Sequence, residues 1–330
     1  MRRREFIGAL GAVATSAWPL VARAQPLGQR RIGFLSISKP DDTFGKAIGG
    51  AFAQALAALG WNDGANLKID WRWYGADAAL ARRQAAELLA AKPDVLLAGG
   101  NPAVEALRRQ TQTIPIVFAL VSDPVGLGYV ESLASPGGNI TGFMSYDPPI
   151  YTKQMQMLTQ IRPAAKTVAL LYNPDTAPYA PHMVAAMQAA AKSVGVAVRD
   201  APCHNDAEIE AAITALAQTD GGGLLALGDI FNQMHGDVIA ALALKYKVPT
   251  VFPTRQMFES GGLIAYIIDV LDPYRRAANY VDRILKGEKL ANLPVQAPTK
   301  FSLMINLKTA RALGVTVTSP LLDNADEVIE

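Results

Sequence analysis

Short β-branched and aliphatic runs alternate with longer, Ala-rich helical patterns along most of this chain. Strands are predicted at Ile32–Ile37, Leu67–Trp71, Val95–Ala98, Ile116–Leu120, Val168–Leu171, Ala197–Ala201, Gly223–Leu227 and Thr250–Phe252. Helices are predicted between them at Thr43–Leu59, Ala78–Ala91, Ala103–Gln110, Ile150–Ile161, Tyr179–Val194, Glu208–Gln218 and Asn232–Tyr246. Apolar runs with helices on both sides are typical of parallel strands buried on both faces. The alternation therefore predicts a doubly wound α/β architecture.

A turn-rich segment around Ser135-Pro136-Gly137 interrupts this alternation, which restarts after it. We interpret the chain as two similar lobes, because its 330 residues suffice for two domains of roughly 150 residues each. Near the C-terminus, two further strands and two helices are predicted at Leu263–Asp269, Phe301–Ile305, Pro273–Lys286 and Leu307–Leu313.

This C-terminal segment predicts how the two lobes are joined. We expect the chain to return to the first lobe near Asp269 and to cross back near Pro298. The N-terminal lobe would then comprise residues 29–142 plus 269–297, and the C-terminal lobe residues 143–268 plus 298–330. Three connecting segments between two lobes form a hinge that can close around a ligand.

The first 24 residues have the pattern of an export signal. Arg3 and Arg4 form a twin-arginine signature, and a modestly apolar stretch follows from Gly8 to Val21. Ala22 and Ala24 are the small residues that a signal peptidase reads, so cleavage is predicted between Ala24 and Gln25. The apolar stretch is shorter than the ~20 residues that span a bilayer, and an uncleaved anchor is the alternative. The signal predicts a periplasmic location.

Composition excludes several classes of partner once this leader is set aside. The leader holds four of the 31 Lys and Arg residues and one of the 29 Asp and Glu residues, so the rest is nearly neutral. A neutral surface gives no electrostatic basis for binding nucleic acid or anionic lipid. The single cysteine, Cys203, cannot form an internal disulfide. We expect a soluble, monomeric mature chain.

Sequence motifs for catalysis are lacking. The chain has no Gly-x-Gly-x-x-Gly, no phosphate-binding P-loop, no Gly-x-Ser-x-Gly and no His-Glu-x-x-His. Its three histidines, His182, His204 and His235, are far apart in sequence, and we interpret each as a surface or helix residue. We therefore predict that the protein is not an enzyme and that it uses no cofactor and no metal.

Several segments resemble one known family. They include Ile32-Gly33-Phe34-Leu35, Asp123-Pro124-Val125-Gly126-Leu127-Gly128, Ser135-Pro136-Gly137-Gly138-Asn139-Ile140-Thr141-Gly142 and Ile305-Asn306-Leu307-Lys308-Thr309-Ala310. The chain is similar over roughly residues 30–328 to the substrate-binding proteins of ABC transporters, tryptophan/tyrosine type. This resemblance implies a type I periplasmic binding protein fold, a small-molecule ligand and an ABC permease in the inner membrane as partner.

The predicted ligand site lies beyond the carboxyl ends of the strands, where open α/β sheets bind their ligands. In the first lobe these positions hold hydroxyls, an amide, a carboxylate and a helix start with free N–H groups. They are Ser36, Ser38, Asn101, Pro102, Ala103, Ser122 and Asp123. Ordinary helix capping is the alternative role for Ser36 and Ser38, a tight turn for Asn101 to Ala103, and turn capping for Asp123.

In the second lobe the same rule selects carboxylates, amides, a hydroxyl and an aromatic ring with a polar tip. They are Asn173, Tyr179, Asp229, Asn232 and Thr254, with Asp269 at the expected hinge. Asp229 is the predicted partner of a ligand ammonium group. Helix N-termini on one side and carboxylates on the other would suit a zwitterion such as an amino acid.

The sequence thus predicts the extracytoplasmic solute-binding component of an ABC importer. A periplasmic sensing module that reports to a membrane kinase is the first alternative. An exported enzyme is the second, and the lack of cofactor ligands argues against it.

Overall fold

The computed structural model describes residues 29–39, 41–75, 77–146, 148–219 and 222–330. These residues form two α/β units, each built around one sheet. The predicted export signal lies outside the described residues. No helix in the described ranges combines the length and the apolar character needed to cross a membrane.

The first sheet has five parallel strands in the order β2-β1-β3-β4-β5. In chain order its strands and the helices between them are β1 (Arg30–Ser36), α1 (Thr43–Ala58), β2 (Leu67–Trp73), α2 (Ala78–Ala90), β3 (Val95–Gly99), α3 (Asn101–Arg108), β4 (Ile116–Val121) and β5 (Ile140–Met144). Helices cover both faces of this sheet, as the doubly wound prediction requires.

The second sheet has seven strands in the order β12-β11-β10-β9-β8-β6-β7. Its first part consists of α4 (Pro148–Ile161), β6 (Thr167–Tyr172), α5 (Ala180–Val194), β7 (Ala197–Pro202), α6 (Asp206–Ala217), β8 (Gly222–Ala226), α7 (Ile230–Met234), α8 (Gly236–Lys245), β9 (Thr250–Phe252), α9 (Arg255–Glu259) and β10 (Ile264–Ile268). Its last part consists of β11 (Phe301–Asn306), α11 (Leu307–Leu313), α12 (Ser319–Asp323) and β12 (Glu327–Ile329).

Between β10 and β11 the chain leaves the second sheet. Helix α10 (Asp272–Leu285) packs against α1, and Gln296 then pairs with Phe143 beside β5. With the passage from β5 to α4, the chain therefore runs between the two sheets three times. Strand β11 returns from the first sheet, so it enters antiparallel to β10, whereas all other neighbouring strands are parallel.

Each sheet has an apolar core on both faces. On β1, Ile32 and Phe34 face α1 and α10, whereas Leu35 faces the opposite core, where α2 and α3 pack. These residues are fully buried, and full burial of one such side chain contributes about 1.5–3 kcal/mol. Trp71 and Trp73 stack on each other and pack against the first of these cores.

Three differences from the sequence-based elements matter at the carboxyl edges of the sheets. Strand β2 runs on to Trp73, two residues beyond its predicted end. Helix α3 begins at Asn101, two residues before its predicted start at Ala103. The helix predicted at Asn232–Tyr246 is broken at His235 into α7 and α8, and Gly236 at the start of α8 packs closely on Met257 of α9.

Candidate functional site

The carboxyl edge of the first sheet carries buried hydroxyl groups. Ser36 ends β1 and Ser38 follows it, and both are buried. Among the described residues, no group hydrogen-bonds to the Ser38 hydroxyl. Ser36 lies beside Gly99 and Tyr274, where a Cβ at Gly99 would be 2.6 Å from Ser36 Oγ and 2.8 Å from Tyr274 Oη. Gly99 therefore lets two buried hydroxyls pack closely against the backbone.

The start of α3 holds the loop after β4 in place. Asn101 Nδ2 donates to the Ser122 carbonyl at 2.7 Å, and the Ser122 N–H donates to Asn101 Oδ1 at 3.0 Å. Pro102 is exposed and Ala103 is buried at the first turn of this helix. Asn101 thus positions Ser122, and the first turn of α3 lies at the same edge, where Pro102 offers no N–H group and the Ala103 N–H lies beside the Tyr74 hydroxyl.

Ser122 lies where the two lobes meet. Its hydroxyl hydrogen-bonds with the Ser145 hydroxyl at 2.7 Å. The Tyr179 hydroxyl, at the start of α5 in the second lobe, also lies beside Ser122. Burial raises the pKa of Tyr179 to about 12, which a hydrogen bond to Ser122 partly opposes. Tyr179 is therefore a neutral hydroxyl facing the first lobe.

Asp229 is the buried carboxylate of the second lobe. Its Oδ1 accepts from the Asn232 N–H at 2.8 Å and from the Thr176 hydroxyl at 3.3 Å, and its Oδ2 accepts from the Asn173 N–H at 3.3 Å. Burial raises the pKa of Asp229 above its ordinary value although these donors lower it. The carboxylate caps α7 and retains acceptor capacity on Oδ2.

Asn173 and Asn232 of this lobe differ in which side-chain atoms lack a hydrogen-bond partner among the described residues. Asn173 Oδ1 accepts from the N–H groups of Asp175 and Thr176, which closes a turn. Asn232 Nδ2 donates to the carbonyls of Leu171 and Leu227. Its Oδ1 is buried, and no donor in the described part of the chain reaches it. A buried acceptor without a donor is costly, so this atom is suited to a ligand donor.

Thr254 and Asp269 are engaged within the protein. The Thr254 hydroxyl accepts from the Met257 N–H at 3.3 Å and caps α9. Asp269 is exposed, pairs with Arg275, and accepts from the Leu271 N–H at 3.0 Å. Its own N–H donates to the Lys300 carbonyl, which joins two of the segments that run between the sheets. For these two residues a ligand contact stays a prediction.

Asp123 contacts the other lobe. Its Oδ2 lies 2.5 Å from His182 Nδ1 on α5, and its Oδ1 accepts from the Gly126 N–H at 3.0 Å. The sequence indicated a surface or helix position for His182. No sequence pattern indicated that His182 would pair with Asp123.

Other residues at the same edges were also missed. Tyr74, Ser145 and Tyr146 follow the ends of β2 and β5, and all three are buried. Tyr74 was not selected because β2 was predicted to end at Trp71. With the observed end at Trp73, the search for residues directly after a strand would have included Tyr74. Tyr274 lies on α10, and no local sequence pattern places it beside Ser36.

A separate cavity of about 400 Å³ lies where α4, α8 and α11 end. Its two basic side chains, Arg162 and Lys247, donate to the carbonyls of Lys247 and Ala312. This cavity is at the opposite edge of the second sheet from the polar groups described above, and its charged side chains are already bonded within the protein.

Polar groups lie at the carboxyl edges of both sheets. Buried hydroxyls lie at the edge of the first sheet, and a buried carboxylate and an amide oxygen without a donor among the described residues lie at the edge of the second. In the described ranges, no group of three or more His, Cys, Asp or Glu side chains could hold a metal ion. The fold defines a two-lobed α/β protein.

The sequence profile of the family described as "ABC transporter substrate binding protein" matches residues 40–329. The chain belongs to this family. Members of the family are binding proteins, and substrate-binding proteins of ABC transporters are extracytoplasmic. The resemblance noted in the sequence, and the fold that it implied, are confirmed.

Individual relatives agree with this assignment. A tyrosine-binding protein of Clostridioides difficile (strain R20291) is 27% identical over 268 residues, which cover 80% of this chain and 75% of the relative. The structure of an ABC domain in complex with L-Trp from Streptococcus pneumonia has a TM-score of 0.79 and 25% identity, covering 92% of this chain and all of that one. A conserved domain protein of Vibrio cholerae has a TM-score of 0.78 and 27% identity, with 91% and 99% coverage.

Proposed function

We propose that this protein is the substrate-binding component of an ABC importer and that it holds an aromatic L-amino acid in the cleft between its lobes. The observation that carries the proposal is the division of polar groups across the cleft. Buried hydroxyls and a helix N-terminus lie on one side, and the carboxylate of Asp229 lies on the other.

The first lobe would bind the ligand carboxylate. Ser36 and Ser38 offer hydroxyl donors, and the N-terminus of α3 adds N–H groups with a favourable dipole. Gly99 and the N-cap residue Gly100 let a carboxylate approach the backbone. The buried Ser38 hydroxyl, which lacks a partner among the described residues, would gain one from the ligand.

The second lobe would bind the ligand ammonium group. Asp229 supplies the negative charge and Asn232 Oδ1 supplies a further acceptor. A buried carboxylate with a raised pKa is stabilised in its charged form when a cation is placed beside it. Binding of a zwitterion would therefore satisfy groups on both lobes at once.

An aromatic side chain is supported by two observations. The similar proteins include a tyrosine-binding protein and a structure solved with L-Trp. Tyr146, Tyr151 and Tyr179 are buried near one another at the edge of the second lobe. Such rings offer a large apolar surface with polar tips, as ligand pockets commonly do.

Location and partner follow from the family and from the leader. The twin-arginine pattern and the predicted cleavage between Ala24 and Gln25 indicate export to the periplasm. There the protein, as a soluble monomer, would deliver its ligand to a permease in the inner membrane. The lobes would be residues 29–142 plus 269–297 and residues 143–268 plus 298–330.

Isothermal titration calorimetry on the purified protein tests this proposal. We expect binding of L-tyrosine or L-tryptophan, with tyramine and 3-(4-hydroxyphenyl)propionate each at least about tenfold weaker, because each lacks one charged group. D-galactose is the control. Binding of the sugar without heat from any amino acid would refute the proposed ligand class.

A further inference from the structure

The pair formed by Asp123 and His182 is a contact between the lobes. Asp123 follows β4 of the first sheet, and His182 lies on α5, which packs with the second sheet. The two side chains meet at 2.5 Å, with 15% of the Asp123 side chain and 53% of the His182 side chain exposed. Water can therefore reach the contact from the side of His182.

The loop that carries Asp123 has an unusual backbone. Leu120 and Asp123 have φ angles of 57° and 47°, which residues other than glycine rarely adopt. The amide of Asn101 fixes Ser122 between them. Strain of this kind persists only where the surroundings enforce it, and it is concentrated at functional positions. The strained loop directs the Asp123 carboxylate toward the other lobe.

Gly126 makes room for this pair. A Cβ at Gly126 would lie 2.1 Å from Asp123 Oδ2 and 2.6 Å from His182 Nδ1. The φ of Gly126 is outside the left-handed region, so alanine itself would not be strained there. Substitution of Gly126 by alanine is thus incompatible with the contact and compatible with the local backbone.

Apolar contacts accompany the pair. Leu120 and Leu127 of the first lobe pack against the core of the second lobe that contains Tyr179 and Met183. The Tyr179 hydroxyl lies beside Ser122 one turn away from His182. The lobes thus touch through a small surface made of these side chains.

We propose that Asp123 and His182 form a latch that holds the two lobes together in the absence of ligand. Asp123 and His182 are positioning residues, because they set the fraction of protein molecules that are closed. Ligand must enter those molecules in which the latch is open. The inference rests on the proposed function in one respect: it assumes that the closed state is the state that retains ligand.

Single-molecule energy transfer on the ligand-free protein tests the latch. Dyes can be attached at Gln112→Cys and Lys192→Cys, which lie on exposed positions of the first and second lobes. The native Cys203 is fully buried, and burial raises its pKa to about 12, so it does not compete for the dyes.

We expect the open population to increase about two- to fivefold in His182→Ala and in Gly126→Ala, the size of effect typical of a partly exposed polar contact. The double variant should show no further increase, because both changes remove one contact. His204→Ala is the matched control, since His204 pairs with Glu208 within the second lobe.

A distribution in His182→Ala and Gly126→Ala that matches that of His204→Ala would overturn the latch. His182 is half exposed, so its variant is expected to fold even if Gly126→Ala does not. The readout needs no ligand, so a response without amino-acid binding would leave the latch standing and refute the proposed function. The rate constant for association of an amino acid should also rise in His182→Ala, by the same factor as the open population.

Discussion

The carboxyl edges of the two sheets are built differently. The first lobe presents hydroxyls of Ser36 and Ser38 and a helix start, groups that donate hydrogen bonds and carry no charge. The second lobe presents Asp229, a carboxylate that three donors of its own lobe already hold in place. Neutral donors on one side and a fixed charge on the other bind a molecule with two different ends in one orientation. Changes on the two sides should therefore have separable effects.

The largest effect is expected on the charged side. Asp229→Asn should weaken amino-acid binding by about 30-fold, because an ammonium group would then be buried without its counter-charge. Calorimetry measures the affinity, and circular dichroism checks the fold, since Asp229 also caps α7.

Asp206→Asn is the control for the charge change, because Asp206 is an exposed acid at the start of α6 in the same lobe. Wild-type affinity in Asp229→Asn would show that the carboxylate serves only as a helix cap.

A smaller effect is expected on the neutral side. Gly99→Ala should weaken binding by about tenfold and cost about 1–3 kcal/mol of folding free energy, because the new methyl group overpacks the space beside Ser36 and Tyr274. The free energy of unfolding follows from urea titration.

Gly50→Ala is the matched control. Its Cβ would meet no heavy atom within 4 Å, so this variant should be stabilised by about 0.5–1 kcal/mol and keep wild-type affinity. Unchanged binding in Gly99→Ala would place the ligand away from the first lobe.

The smallest effect is the dependence of binding on pH. Burial raises the pKa of Asp229, so acidification protonates this carboxyl earlier than an exposed one. An ammonium ligand binds the ionised form, and affinity should therefore fall a few-fold as the pH is lowered through that raised pKa. Calorimetry between about pH 7 and 4.5 measures the slope.

The same slope in Asp229→Asn would assign the pH dependence to another group. For folding of the ligand-free protein the sign is reversed. A carboxyl with a raised pKa holds its proton more tightly in the folded state, so this group alone favours folding at lower pH and loses that contribution as the pH rises.

The sequence predicted which residues lie at the carboxyl edges of the sheets, because strand ends are local signals. Ser122 and Asp229 each follow a buried apolar run, and parallel strands bring such positions to one edge. Tyr74 was missed because β2 continues through Trp71 to Trp73, and aromatic residues suit both a strand and the rim of a sheet.

Contacts that depend on tertiary arrangement had no such signal. Asp123 and His182 are 59 residues apart and on different lobes, so their pairing depends on how the lobes are oriented. Tyr274 reaches Ser36 only because α10 returns to the first sheet. The antiparallel pairing of β11 with β10 also depends on this return of the chain. The alternation of strands and helices in the sequence does not indicate from which direction a strand enters its sheet.

A crystal structure of the protein with its bound amino acid tests the central claim most directly. The account predicts a ligand between the lobes, with its ammonium group within hydrogen-bond distance of Asp229 and its carboxylate at Ser36, Ser38 and the start of α3. A ligand that contacts one lobe only, or that binds with these two groups exchanged, would contradict it.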